Sequence, residues 1–188
     1  MRRLVVLAVL AAIAAVAAPL VLATTTASDP NDTAGKLDFK SAKAARDGQL
    51  LHFTITTYDG WASSMLQGKN GSAGPMAGRN AMTVLYDVNK DGRADYQGKL
   101  LYFQKHLRLW ISGKRSNFEP LPVKRPNSKT ASFTHPVDVF YRTPGTKTLR
   151  LAVTSMDRDS VGCGLPVLGG CKDRIPNSGW IPVVFHVT

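Results

Sequence analysis

The chain has 188 residues, 44% of them apolar and 20% charged, and a formal net charge of +11 from 24 Lys and Arg against 13 Asp and Glu. That apolar share excludes a wholly disordered polypeptide, and the length fits one domain able to enclose a real core. Two cysteines exclude both a disulfide-dense scaffold and a four-cysteine zinc site.

The first element reads as a leader. Met1, Arg2 and Arg3 make a short basic n-region, and the run from Leu4 to Leu22 is uncharged and rich in alanine, the pattern of a signal peptide. Cleavage needs small residues at −3 and −1. Val21 with Ala23, or Thr25 with Ala27, supply them, so residues 1–27 are expected to be signal peptide, cut after Ala23 or Ala27, and residues 28–188 to be the domain. The alternative is an uncleaved anchor, since 19 uncharged residues just span a bilayer. After cleavage no stable membrane insertion is expected. No cysteine follows the apolar run, which excludes a lipoprotein anchor.

Loss of Arg2 and Arg3 lowers the charge from +11 to +9, so the mature chain stays basic. Its lysines and arginines are scattered rather than gathered into a stripe with aromatics between them, which argues against nucleic acid. The functional reading of the charge is loose attraction to an anionic cell wall or cell surface.

Beyond the leader the chain alternates with a period of two. Leu51, Phe53 and Ile55 fall on one side of the run Gln49 to Thr57, with His52, Thr54 and Thr56 on the other. Met82, Val84 and Tyr86 repeat the pattern, as do Leu107, Leu109 and Ile111. Val137, Val139 and Tyr141 follow, then Leu149, Leu151 and Val153, and finally Ile181, Val183, Phe185 and Val187. This is the signature of half-buried strands. The best helical window, Trp61 to Gln67, is one or two turns long. Asp59-Gly60, Asn70-Gly71, Asp91-Gly92, Ser112-Gly113, Pro144-Gly145 and Ser178-Gly179 supply turn chemistry between the runs. Seven to nine such strands predict an all-β fold: a single antiparallel two-sheet sandwich, jelly-roll or immunoglobulin-like, with a closed barrel as the rival. Gly68 to Gly78 and the proline-bearing stretch Asn117 to Lys129 are expected to be surface loops.

The strongest motif lies at Asp87 to Asp95. Asp87, Asn89, Asp91 and Asp95 occupy positions 1, 3, 5 and 9 of a loop with Gly92 at position 6, as in an EF-hand-type calcium loop. Position 12 is Gly98, so the bidentate glutamate is missing, and both flanks read as strands. The residues therefore predict either a structural Ca²⁺ site on a hairpin or a polar turn held by side-chain to backbone hydrogen bonds. Cys163 and Cys171 are expected to form one disulfide, worth about 2.5–3 kcal/mol for so short a ring.

Catalytic signatures are absent: no H-E-x-x-H, G-x-S-x-G or phosphate-loop motif occurs, and no catalytic residue is assigned. Of the four histidines, His52, His106 and His186 fall on the polar side of their strands, and Asp157 with Asp159 reads as a solvated pair. Trp110 shares a strand face with His106 and Arg108, Trp180 with Val184 and His186, and Phe140 lies between Asp138 and Arg142. Trp110, Phe140 and Trp180 could thus form a platform that stacks on sugar rings, or fill a satellite core beneath loops.

Asp29-Pro30-Asn31-Asp32, Gly35-Lys36-Leu37-Asp38, the Asp87 to Tyr96 turn and the closing Cys171 to Trp180 segment occur in that order. Together they resemble small secreted β-sandwich proteins of unknown function from high-GC Gram-positive bacteria. The resemblance spans most of the mature chain. It implies an extracellular, non-enzymatic sandwich related in form to carbohydrate-binding modules, and transfers no functional residue. The expected function is a secreted, monomeric binding or surface-interaction module for cell-wall polysaccharide or another glycan. The alternative is a secreted hydrolase acting on such a substrate.

Overall fold

The computed structural model describes residues 24–67, 80–113, 116–117, 119–159, 162 and 170–188. Its strands are β1 (Thr24–Ser28), β2 (Phe39–Asp47), β3 (Leu50–Thr57), β4 (Ala81–Asp87), β5 (Tyr96–Phe103), β6 (His106–Gly113), β7 (Ser116–Asn117), β8 (Leu121–Pro122), β9 (Lys124–Asn127), β10 (Thr130–Pro136), β11 (Gly145–Asp157), β12 (Cys171–Ile175) and β13 (Ile181–Val187). They form two antiparallel sheets rather than a barrel. The first has the order β1-β2-β3-β10-β9. The second runs β12-β11-β4-β5-β6-β7, with β8 beside β6. The long β11 serves two partners on one edge, β13 along Gly145 to Leu151 and β12 along Val153 to Asp157.

Alternation sets the core. Leu51, Phe53 and Ile55 of the first sheet and Val84, Tyr86, Leu109, Ile111, Leu151, Val153 and Phe185 of the second are buried to 1% exposure or less. Each large apolar side chain so buried contributes about 1.5–3 kcal/mol. Along one side the sheets meet: Thr25 Oγ1 donates to Pro182 O at 2.9 Å, and Arg46 Nη1 to Val184 O at 3.0 Å. The helical window Trp61 to Gln67 holds one 3₁₀ turn, Ser63–Leu66.

Several expectations need correction. Val137 to Tyr141 is not a strand. Phe140 N–H donates to Val137 O and Tyr141 N–H to Asp138 O, successive reverse turns that follow Pro136 at the end of β10. The turn spacing brings Val137 and Phe140 inward together, where strand spacing would oppose them. The stretch Asn117 to Lys129 is no plain loop, because β8 and β9 lie within it, and their prolines sit where edge strands tolerate a missing N–H. Ser112-Gly113 ends β6 rather than making a turn; the ring of Tyr96, opposite Gly113, covers the space a side chain there would need. β1, Thr24–Ser28, pairs with Ser41 to Ala45, so it starts just after one candidate cleavage point, Ala23, and contains the other, Ala27. Leu4 to Leu22 and Gly68 to Gly78 lie outside the described residues, among which no helix is long and apolar enough to cross a membrane.

Candidate functional site

The outer face of the second sheet carries a continuous row. In an antiparallel ladder, directly opposed residues project from the same face. Trp110 of β6 opposes Lys99 of β5, Lys99 opposes Thr83 of β4, Thr83 opposes Thr154 of β11, and Thr154 opposes Arg174 of β12. All five are half-buried. Four inter-strand steps give the row a length of about 19 Å. The adjoining positions add Arg108, opposite Leu101, and Lys172, opposite Met156, so the face is cationic as well as partly apolar.

Trp180 joins the row at its β12 end. The Arg174 guanidinium lies 5.6 Å from the centre of the Trp180 ring, within cation–π range, and its Nη2 donates to Gly179 O at 2.7 Å. Thr83, Thr154, Arg174, Lys172 and Asn177 also line a cleft of about 670 Å³, a volume suited to a small ligand or a polymer segment. Trp110 and Trp180 thus lie toward opposite ends of one face. Phe140 does not join them. It is buried against Tyr86, Tyr96 and His135, with ring centres 4.9–5.4 Å apart, because its segment is a turn and not a strand.

The acidic turn is built from its own backbone. Asp87, fully buried, accepts hydrogen bonds from Lys90 N–H at 2.7 Å and Gly92 N–H at 3.1 Å, and Arg150 Nη1 stands 3.4 Å from it. Asp95 Oδ2 accepts from Val88 and Asn89 N–H, Asn89 Oδ1 from Asp91 N–H, and Asp91 Oδ1 from Arg93 N–H. Lys90 and Gly92 take left-handed backbone, at φ of 66° and 84°. Gly98, the twelfth position, faces the core, where an added Cβ would meet Leu109 Cδ1 at 2.9 Å. Cys171 opens β12, while Cys163 lies outside the described residues.

The histidines do not assemble a nucleophile. His52 Nδ1 bonds Thr134 Oγ1 at 2.8 Å, but Asp47 Oδ2 is 3.9 Å from its Nε2, beyond hydrogen-bond reach. His106 and His186 are exposed. His135 is buried: Nδ1–H donates to Pro136 O at 2.9 Å, so Nε2 accepts from Tyr86 O–H at 3.3 Å, a tautomer assigned from these partners. Burial pushes its pKa down to about 4. Asp157 acts as a tether, its Oδ2 accepting from Lys36 N–H at 2.9 Å.

A second acidic group was invisible in the sequence. Asp29, Asp32 and Asp38, all between β1 and β2, converge with Asp173 of β12, each offering a carboxylate oxygen within 4.8 Å of the others. Asp29, Asp38 and Asp173 are buried. Asp173 accepts from Phe39 and Arg174 N–H, both at 2.6 Å. Asp29 Oδ2 and both Asp38 oxygens have no hydrogen-bond partner. Burial, then repulsion from Asp173, raises the Asp29 carboxyl to about 7 and Asp38 to about 6. The only hint was that three segments of the resemblance, Asp29 to Asp32, Gly35 to Asp38 and Cys171 to Trp180, contribute all four carboxylates. No protein-family model, curated protein or solved structure matches this chain.

Proposed function

We propose that the protein is a secreted, non-enzymatic binding module that holds an anionic polysaccharide of the cell envelope on the outer face of its second sheet. The observation that carries this reading is the row Trp110, Lys99, Thr83, Thr154 and Arg174, completed by Trp180. Indole rings offer flat apolar area for sugar faces at low entropic cost, and the guanidinium and ammonium groups attract carboxylate or phosphate substituents. A shallow face about 19 Å long suits an extended polymer better than a compact metabolite. The leader and the bridge between Cys163 and Cys171 belong to the same reading, since an exported chain meets an oxidising compartment. Cleavage after Ala23 keeps β1 whole.

The test is retention of the mature protein on immobilised wall polysaccharide, compared with a Trp110→Ala, Trp180→Ala double variant. Loss of retention with an unchanged melting temperature supports the proposal. Unchanged retention in the double variant refutes it.

A further inference from the structure

Two acidic groups in this protein treat their carboxylates in opposite ways. Around Asp87 and Asp95 the chain aims its own amides at the carboxylate oxygens. Between β1 and β12 it buries Asp29 and Asp38 beside two further carboxylates and leaves three of their oxygens unmet. Among the described residues no lysine or arginine pairs with any of these four aspartates. Buried carboxylate oxygens without donors are costly, and Asp29 and Asp38, crowded by Asp32 and Asp173, relieve that cost either by taking up a proton or by sharing a cation.

We propose that Asp29, Asp32, Asp38 and Asp173 bind a calcium ion that ties the β1–β2 connection to the edge strand β12. Calcium takes six to eight oxygen ligands at 2.3–2.6 Å, so two ligand oxygens on opposite sides of the ion stand about 4.6–5.2 Å apart. Carboxylate oxygens that all lie within 4.8 Å of one another fit one such sphere. Exposed Asp32 leaves the pocket a way in from solvent and room for water ligands. The ion would be structural, because it joins segments at opposite ends of the chain. The first lies in the loop leaving β1, and the second belongs to a strand held in place through β11. The site adjoins the cleft of the glycan reading, which Asp32 and Asp173 also line, but it is argued from the carboxylates alone and its test needs no glycan.

The experiment uses the whole mature chain, first dialysed against chelator, then melted with calcium, with magnesium, and with neither. Calcium a hundredfold above its Kd should raise the melting temperature by about 5–10 °C, with a smaller effect of magnesium. Asp38→Asn should abolish the calcium shift, whereas Asp91→Asn, in the acidic turn, should leave it intact. Terbium luminescence gives a second readout: Tyr58, whose hydroxyl donates to Asp29 O at 2.6 Å, should sensitise the lanthanide, and calcium should quench the signal by competition. No calcium shift in the wild type, a shift that survives Asp38→Asn, or one lost only in Asp91→Asn would overturn the proposal.

Discussion

Asp87 is the residue whose removal is most instructive, because it separates the two readings that the sequence offers for its turn. As a calcium ligand, its loss would matter only when calcium is present. As the organiser of a turn, its loss would matter always. Its carboxylate is fully buried and accepts two amide hydrogen bonds, at 2.7 and 3.1 Å, with Arg150 at 3.4 Å. Hydrogen bonds to a charged acceptor contribute about 1.5–3 kcal/mol each. Lys90 and Gly92 are exposed, so their amides can turn to water in the variant, which favours the low end of that range. Arg150 keeps its bond to Lys90 O, and a half-exposed ion pair adds well under 1 kcal/mol. Asp87→Ala should therefore cost about 3 kcal/mol, a large share of a stability that for domains of this kind is typically about 5–15 kcal/mol. Urea titrations followed by tryptophan fluorescence, in chelator and again in calcium, should show the same loss under both conditions. A loss below about 1 kcal/mol, or one confined to calcium, would refute the self-supported turn.

Two further perturbations test the interior. Gly98→Ala places a Cβ 2.9 Å from Leu109 Cδ1 and 3.1 Å from Tyr86 Cε2, and should cost about 1–3 kcal/mol in a melting experiment; no loss would mean that β5 does not face the core as described. For His135 the sign runs against protonation: the folded pKa of about 4 lies below the unfolded 6.5, so the unfolded chain takes up a proton that the native protein refuses. Stability should fall by about 3 kcal/mol between pH 6.5 and 4 through this group, and the difference between wild type and His135→Gln over that window isolates it from the aspartates. Parallel pH profiles for the two proteins would contradict the buried, neutral imidazole.

How much the sequence disclosed depended on side-chain size and on distance along the chain. β3, β4, β6, β11 and β13 were legible because Leu, Ile, Val and Phe alternate in them and alternate residues are inside. β2 was not. Its inner face is Ala42 and Ala44, and an irregular register between Phe39 and Ser41 breaks the period of two. β10 hid behind Thr130, Ser132 and His135, polar residues of which the first and last are buried, and β12 behind the inward-facing Asp173. Val137 to Tyr141 shows the converse error, since alternation over five residues also accommodates two overlapping turns. Trp110 lies within β6 and Trp180 just before β13, but which strands adjoin is a matter of topology. The four-aspartate pocket has no local pattern to announce it, because it forms only where β12 packs against the start of β2 and Asp173 accepts from Phe39 N–H.

The most direct measurement is calorimetric titration of the mature protein with an acidic wall polysaccharide and with its neutral, deacidified counterpart, at about 0.05 and 0.5 M salt. Exposed charges lose most of their reach as the screening length shrinks from more than 10 Å to a few ångströms. The account predicts binding to the acidic polymer that weakens steeply with salt and is lost in a Lys99→Gln, Arg174→Gln double variant. Equal affinity for both polymers, or a variant that binds as the wild type does, would contradict it.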